Sequence, residues 1–234
     1  MSASADSALD LGADDRVQPF DSPLAFARRR LDGRFQIDAF GGDAQLMDLT
    51  GRVLALGVRV EVEHAERIPR LGGALLVANR GLGFIEPAAL AVAVRQTVGR
   101  RLRVIGALDL PVVGDVLRKI GAVGYRPDDV AVLLRAGSLA AAPLAPTWLR
   151  PGAGAPPRDL LAAVVGFPVV PVAVLPGGPG RLPIRPWRVV VGPVVETATD
   201  AVAGDTLAGA ELAERTRTAV NHLLANARAL PSRA

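Results

Sequence analysis

The chain has 234 residues, 50% of them hydrophobic and 21% charged, so it is long enough for one sizeable α/β core but short for two full domains. Its formal charge is +4, and the basic residues are nearly all arginine, with Lys119 the sole lysine; no basic run is interleaved with aromatic residues, so no nucleic-acid partner is expected. The absence of cysteine excludes disulfides, thiolate catalysis and cysteine-based metal sites.

The first 58 residues predict a tail followed by helices. Residues 1–22 open with small and acidic side chains and have no apolar run of the kind found in secretory signals, which indicates a disordered tail. Residues 23–31 and 44–58 are two candidate helices. Together they make up an N-terminal helical segment over residues 23–58.

The first of these helices places apolar side chains next to cations. Leu24, Phe26 and Leu31 accompany three consecutive arginines at positions 28–30, a composition that suits an anionic membrane surface. Packing of the helices onto the sheet is an equally good interpretation. No membrane-spanning segment is predicted, because glycine and proline interrupt the longest apolar run, residues 160–176. We therefore expect a cytoplasmic protein, with weak peripheral contact to the inner face of the plasma membrane under the first interpretation.

From residue 58 onwards, apolar strands alternate with helices whose starts are marked by proline and whose ends are marked by glycine. Strands are predicted at residues 58–63, 74–78, 102–106, 122–126, 169–175 and 188–194, with a weak strand or coil at 138–143. Helices are predicted at residues 87–98, 111–120, 127–136, 158–165 and 205–228. This alternation indicates one α/β domain over residues 59–228, with a mixed, largely parallel sheet flanked by helices.

The turn after the second strand carries the most informative residues. Residues 72–87 read GGALLVANRGLGFIEP and resemble the active-site turn of the glycerolipid acyltransferases, which include the 1-acylglycerol-3-phosphate and lysophospholipid acyltransferases. The family pattern is NHxxxxD, in which histidine deprotonates the acceptor hydroxyl and aspartate orients the imidazole. Here Asn79 is retained, Arg80 replaces the histidine, and Glu86 stands one residue later than the aspartate. A guanidinium stays protonated and cannot act as a general base, so the resemblance implies an impaired catalytic site.

A second family motif has also lost its carboxylate. Acyltransferases of this type carry a stretch similar to FPEGTR, whose glutamate and arginine line the phosphate side of the cleft. Residues 126–137 resemble the segment that precedes this stretch and end at Gly137, after which the chain reads SLAAAPLAPTWLR. Aligned from Gly137, the family glutamate falls on Ala145. The resemblance therefore implies that neither motif is complete.

The scaffold of the family continues further along the chain. Residues 168–175, PVVPVAVL, and residues 188–196, RVVVGPVVE, resemble its late strands, so the resemblance runs from about residue 59 to residue 196. It implies the acyltransferase α/β fold, with acyl-CoA or acyl carrier protein as the acyl donor. No metal and no other cofactor is expected.

The candidate site residues each have a structural alternative. By resemblance, Asn79, Arg80 and Arg126 would bind substrate, and Arg80 and Glu86 occupy the degenerate catalytic positions. Arg80 could hold a phosphate or carboxylate with Glu86 as its partner. Alternatively, Arg80 is a solvated turn residue, Glu86 a favourable charge at a helix N-terminus, and Arg126 a partner of the acids that follow it.

Other polar features of the chain predict no catalysis. The two histidines, His64 and His222, are expected at the surface or with satisfied hydrogen bonds, which leaves little material for a Ser-His-Asp arrangement. The glycine-rich residues 177–181 follow a strand without opening a helix, so they are predicted to form a turn rather than a phosphate loop.

Three hypotheses for function remain at the level of the sequence. The first is a catalytically impaired member of the acyltransferase fold, a pseudoenzyme that binds a lipid or acyl thioester or pairs with an active partner. The second is an active acyltransferase of phospholipid metabolism in which substrate positioning replaces the missing base. The third is an unrelated α/β protein that binds a small molecule.

Overall fold

A computed structural model describes residues 16–17, 23–33, 37–79, 85–106, 113–144, 158–176, 186–196 and 201–229. The helices in these ranges are α1 (Pro23–Leu31), α2 (Ala44–Gly57), α3 (Ile85–Val98), α4 (Val113–Lys119), α5 (Pro127–Arg135), α6 (Arg158–Ala163) and α7 (Thr206–Ala229). The strands are β1 (Val60–Glu63), β2 (Ala74–Ala78), β3 (Leu102–Ile105), β4 (Ala122–Val123), β5 (Leu139–Pro143), β6 (Val169–Leu175) and β7 (Trp187–Val191). The predicted α/β class is confirmed, including its N-terminal helices.

These strands form one mixed sheet in the order β1-β7-β6-β2-β5-β3-β4. Strands β2 to β6 run parallel to one another, whereas β7 is antiparallel to β6 and β1 is parallel to β7. The carboxyl ends of β2 to β6 therefore meet at one edge of the sheet, which we call the carboxyl edge. Strands β1 and β7 end at the opposite edge, the amino edge.

Helices cover both faces of the sheet because the crossovers run in opposite directions. The connection from β2 to β3 leads towards β4 and places α3 on one face. The connections from β4 to β5 and from β5 to β6 lead the other way and place α5 and α6 on the second face. A right-handed crossover changes face when its direction along the sheet reverses. Helix α7 packs on α6 and β6 on this second face.

The central strand β2 is apolar on both sides because both sides are covered. Its Leu76 belongs to the core that includes Leu90 of α3. Its Leu75 belongs to the core on the opposite face, together with Leu134 of α5 and Leu160 of α6. A strand that is buried on both faces has no polar side to alternate, so it reads as the continuous apolar run found in the sequence.

The weakest predicted strand lies near the middle of the sheet. Residues 138–143 are predicted as a weak strand or coil, but β5 pairs with both β2 and β3, and all five of its residues are buried. Three of these residues are alanines, which are depleted in strands, yet their small side chains suit a strand packed under helices on both faces. The chain is packed equally tightly at Gly73, because a Cβ there would clash with the carbonyl of Leu134 in α5. Tertiary packing therefore overrides local propensity here.

Four other strands are shorter than predicted. Strand β1 begins at Val60 rather than at residue 58, and β3 ends at Ile105 rather than at residue 106. Strand β4 retains only the start of the predicted strand 122–126, because the chain turns where Arg126 N donates to Gly124 O at 2.9 Å. Strand β7 ends three residues before the predicted limit of 194. Beyond it, Gly192 N donates to Pro171 O at 2.8 Å.

Buried ion pairs attach the N-terminal helical segment to the α/β domain. Asp48 of α2 accepts hydrogen bonds from Arg101 Nε at 3.0 Å and Nη2 at 2.8 Å, and from Arg95 of α3 at 3.2 Å. Asp38 forms an ion pair with Arg103 of β3. Helix α2 is therefore packed on the rest of the fold, which is the alternative to membrane contact that the sequence left open.

One of the arginines expected to face a membrane is engaged inside the protein. Arg30 of α1 donates to Asp43, whose side chain is only 1% exposed and which also caps α2 by accepting from Leu46 N at 3.0 Å. Arg28 is exposed, whereas Arg29 is half-buried. The side chain of Phe26 lies outside the described residues. Arg30 thus stabilises the fold, and Arg28 is the fully exposed member of the trio.

Two residues of the predicted tail pair with the segment between α3 and β3. Val17 N donates to Gly99 O at 3.0 Å, next to an antiparallel bridge between Arg16 and Arg100. The rest of residues 1–22 lies outside the described part of the chain, so disorder of the tail stays a prediction.

Candidate functional site

The two segments that the sequence alone aligns with acyltransferase motifs begin side by side at the carboxyl edge. Strands β2 and β5 are neighbours, with Ala78 opposite Pro143, and Leu144 N donates to Ala78 O at 2.7 Å. The chain after β2 leads to α3 on one face, and the chain after β5 leads to α6 on the other. Adjacent strands whose connections leave towards opposite faces open a crevice, where ligands of open α/β sheets bind. This crevice is the candidate site.

Asn79 occupies the first position beyond β2, and its side chain extends the sheet. Its Nδ2 donates to Val174 O at 2.9 Å, and its Oδ1 accepts from Val174 N at 2.5 Å. The carboxamide therefore pairs with both polar groups of one residue of β6, much as a backbone residue of a neighbouring strand would. This pairing fixes the side chain of Asn79 to β6, so Asn79 serves to hold the carboxyl end of β2 in the sheet.

Glu86 is buried rather than solvated. It lies in the first turn of α3, and its residue surface is only 5% exposed. A carboxylate at this position interacts favourably with the partial positive charge of the helix N-terminus. Helix α3 begins at Ile85, two residues earlier than predicted, so Glu86 belongs to the helix and not to the turn before it.

Two predicted site positions lie outside the described residues: Arg80, with residues 81–84, and Ala145, with residues 146–157. The glycine-rich residues 177–181 are also outside them. The pairing of Arg80 with Glu86 and the loss of a carboxylate at Ala145 therefore stay predictions from the sequence.

On the α5 and α6 side of the carboxyl edge, a hydrogen bond joins two helix starts. Tyr125 Oη donates to Asp159 Oδ1 at 2.9 Å, linking the residue before Arg126 to the residue after Arg158. Burial, followed by this hydrogen bond and by the charge of Asp159, raises the pKa of the Tyr125 hydroxyl. The sequence did not predict this hydrogen bond, because Tyr125 and Asp159 are 34 residues apart in the chain.

Arg126 stands at the N-cap of α5 as an exposed cation. Among the described residues it makes no ion pair with Asp128 or Asp129, the structural alternative raised by the sequence. Arg158 is the exposed first residue of α6. Two exposed guanidinium groups therefore neighbour the Tyr125–Asp159 hydrogen bond in the sequence, and the first turns of the same helices also carry carboxylates.

Neither histidine lies on the turn after β2. His64 follows β1 and so stands at the amino edge, where its Nδ1 is 3.4 Å from Glu66. His222 is exposed on α7. Within the ranges that the structure covers, the crevice between β2 and β5 has no imidazole to serve as a general base.

The described residues contain neither a membrane-spanning helix nor a cluster of metal-binding side chains. None of the described helices is long and apolar enough to cross a membrane. No group of three or more His, Cys, Asp or Glu side chains suited to a metal ion occurs within the described ranges.

Comparison with known proteins identifies relatives without a described activity. No protein-family model matches the chain. An uncharacterized protein of Mycobacterium tuberculosis is 28% identical over 274 aligned positions, which cover 93% of this chain and 76% of the relative. An uncharacterized protein of Mycobacterium bovis matches to the same extent. One from Mycobacterium leprae is 37% identical over 127 positions, covering 50% of this chain and 35% of the relative.

The similarity to the M. tuberculosis protein extends over nearly the whole chain. Because the alignment covers 93% of this chain, it includes most of the N-terminal helical segment as well as the α/β domain. Nothing in the names of these relatives indicates a substrate or a reaction.

Proposed function

We propose that the protein binds a lipid or an acyl thioester in the crevice at the carboxyl edge, on an acyltransferase-like scaffold that has lost acyl transfer by the histidine mechanism. The observation that carries this proposal is the adjacency of β2 and β5. The two sequence segments that align with the family motifs, one degenerate and one without its carboxylate, leave the sheet from opposed residues, Ala78 and Pro143.

Two exposed guanidinium groups support an anionic head group as ligand. Arg126 and Arg158 are exposed at the starts of α5 and α6, and α5 also directs the positive end of its dipole to this edge. A guanidinium is well suited to the paired oxygens of a phosphate. A lysolipid such as lysophosphatidic acid combines this head group with an acyl chain.

The chemistry available at the site argues against turnover. Asn79 is engaged with Val174, Glu86 is buried in α3, and the residue after Asn79 is an arginine that cannot accept a proton. Acyl transfer would then rest on positioning alone, without general base catalysis, which typically contributes 10²–10⁴-fold to such rates.

A donor and acceptor panel tests the proposal directly. The purified full chain is incubated with acyl-CoA or acyl-carrier-protein donors and a set of lysolipids, and products are measured by mass spectrometry. We expect product at the level of a control without protein, together with binding of lysophosphatidic acid in native mass spectrometry. Robust turnover by the unmodified chain would contradict the loss of catalysis and favour the active acyltransferase.

A matched pair of variants tests the location of the ligand. Arg126→Gln should weaken binding of lysophosphatidic acid more than binding of an uncharged monoacylglycerol. Arg135→Gln is the control, because Arg135 is also exposed on α5 but lies at the far end of the helix. Equal loss of binding in the two variants would place the ligand elsewhere.

Weak contact with a membrane surface is a second part of the proposal, and α1 supports it. Leu24 is 82% exposed and Leu31 is 88% exposed, and they lie seven residues apart on one face with the exposed Arg28 between them. Such a face combines apolar area with a cation suited to anionic lipid. The proposal places the protein in the cytoplasm, with α1 in reversible contact with the inner face of the plasma membrane.

A further inference from the structure

A groove runs along α7, on the face of the sheet that α5 and α6 also cover, and it is apart from the residues assigned to the crevice between β2 and β5. It encloses about 500 Å³. Its apolar lining comes from Pro171 of β6, Pro193 after β7, and Ala219 and Leu223 of α7. A cavity of this size is comparable to sites that bury a ligand or a protruding side chain of a partner.

The rim of this groove is a regular ridge of exposed side chains. Glu214, Thr218, His222 and Asn226 all line the groove, are all exposed, and follow one another at intervals of four residues. Side chains four residues apart form the ridges by which helices commonly pack, with the ridge of one helix in the groove of the other. Because α7 carries both a ridge and a groove, the α7 helices of two copies of the chain can pack against each other.

We propose that a second copy of this chain docks here, with the α7 ridge of each copy in the α7 groove of the other. A two-fold axis makes an interface isologous, so each contact occurs twice. We place the axis next to Thr218, so that the two copies of α7 run in opposite directions. Glu214 lies four residues before Thr218 and His222 lies four residues after it. Glu214 of one copy therefore stands opposite the partner's His222.

The charges on the ridge fit this arrangement. Arg215 is already engaged, because it donates to Glu211 at 2.5 Å and to Glu196 O at 3.1 Å. Glu214 accepts from Arg217 at 2.6 Å through Oε1, which leaves its second carboxylate oxygen for another donor. His222 makes no hydrogen bond to any described residue, and its imidazole can supply that donor. Within one chain, Glu214 and His222 are two helical turns apart, about 12 Å, so they can meet only between copies.

Sedimentation equilibrium of the full chain with a charge exchange tests the pairing. The unmodified chain should form dimers, and Glu214→Lys and His222→Glu should each raise the dimer Kd about fivefold, since the axis duplicates an exposed pair. The double variant with both changes should recover most of the affinity. A chain that stays monomeric at millimolar concentration, or a double variant no tighter than the weaker single variant, overturns the proposal.

Crosslinking tests the position of the axis. The chain has no cysteine, so Thr218→Cys introduces one thiol next to its own copy at the axis. Gln96→Cys is the control, an exposed position on α3 at the opposite face of the sheet. Mild oxidation should convert the Thr218→Cys protein to a covalent dimer much faster than the control, with unchanged circular dichroism in both. If the two cysteine variants form covalent dimers at equal rates, the proposal is overturned. A dimer that forms through another surface would give this result too.

Discussion

At the scale of single residues, Asn79 shows how a position with a family resemblance can serve the fold. Its carboxamide supplies one donor and one acceptor to Val174, a pairing that needs the two different ends of an amide. A carboxylate has the same shape but offers only acceptors. Asn79 is therefore the residue where shape and hydrogen-bonding capacity can be separated by experiment.

We expect Asn79→Asp to lower the free energy of unfolding by about 1–3 kcal/mol, because it sets an acceptor against the Val174 carbonyl. The measurement is urea denaturation at neutral pH. Asn221→Asp, at an exposed position on α7, is the control and should change little. If the two variants are equally stable, the pairing of Asn79 with Val174 contributes nothing to the fold.

Tyr125 allows a spectroscopic test, because it is the only tyrosine in the chain. Burial and Asp159 raise its pKa, so ionisation measured by ultraviolet absorbance should begin well above pH 10, the ordinary value. A raised folded-state pKa contributes stability that is complete below the unfolded pKa and is lost as pH rises towards the folded pKa. Asp159→Asn should lower the midpoint in part, since burial remains. An ordinary midpoint in the unmodified chain would disprove the contact.

At the scale of elements, the bounds of a strand were predicted correctly where the burial of that strand left a clear pattern in its own sequence. Strands β2 and β6 have the bounds predicted at 74–78 and 169–175, because a strand buried on both faces needs a continuous apolar run. Strand β5 was assigned weakly, because its alanines become a strand only through the neighbours on either side.

The candidate site was predictable only in part. The apolar run before Asn79 predicted the end of β2, and the proline after Glu86 predicted the start of α3 to within two residues. Burial of Glu86 and the pairing of Asn79 with Val174 were not predictable, because they depend on partners brought together by the fold. The same holds for Arg30, whose partner Asp43 lies 13 residues away in another element.

The docking of α2 makes a strong prediction about stability. Asp48→Asn removes the carboxylate that faces Arg95 and Arg101 in a site where Asp48 is only 4% exposed. Breaking a buried ion pair from one side costs about 3–5 kcal/mol, and calorimetry should show a corresponding fall in Tm. Asp115→Asn, which breaks the exposed pair with Arg118, is the control and should cost below about 1 kcal/mol. Similar costs for both would mean that the Asp48 cluster does not hold α2 in place.

The exposed face of α1 makes a separate prediction about lipid. Arg28→Gln should reduce co-sedimentation with vesicles that contain anionic lipid about fivefold, since one cation near such a surface contributes roughly 1 kcal/mol. High salt should remove the difference by screening. Arg228→Gln, an exposed change at the end of α7, should leave binding unchanged. Binding that is insensitive to Arg28 and to salt would leave α1 without a role at a membrane.

At the scale of the whole molecule, catalysis by the family mechanism would need groups from two strands at once. Arg80→His restores an imidazole after β2 but leaves Glu86 inside α3 and adds no carboxylate after β5. We therefore expect this variant to remain at background in acyl transfer to lysophosphatidic acid, as judged by mass spectrometry of the products. Arg126→His is the control for an imidazole added elsewhere at the same edge. Turnover by Arg80→His alone would mean that a single substitution separates this chain from an active enzyme.

The position of β5 also dictates an order of assembly. Strands β2 and β3 are consecutive in the chain, but β5 separates them in the sheet, so the first of these strands finds no partner among the strands made immediately after it. During synthesis, the apolar run of β2 must wait until residue 139 has emerged before its first ladder can close, and until residue 169 for the second. Contacts this distant along the chain slow folding, because the loops must be closed before any pairing stabilises them. A nascent chain that ends before β5 therefore exposes its most hydrophobic strand, which makes the first 138 residues the stretch that most needs protection from aggregation.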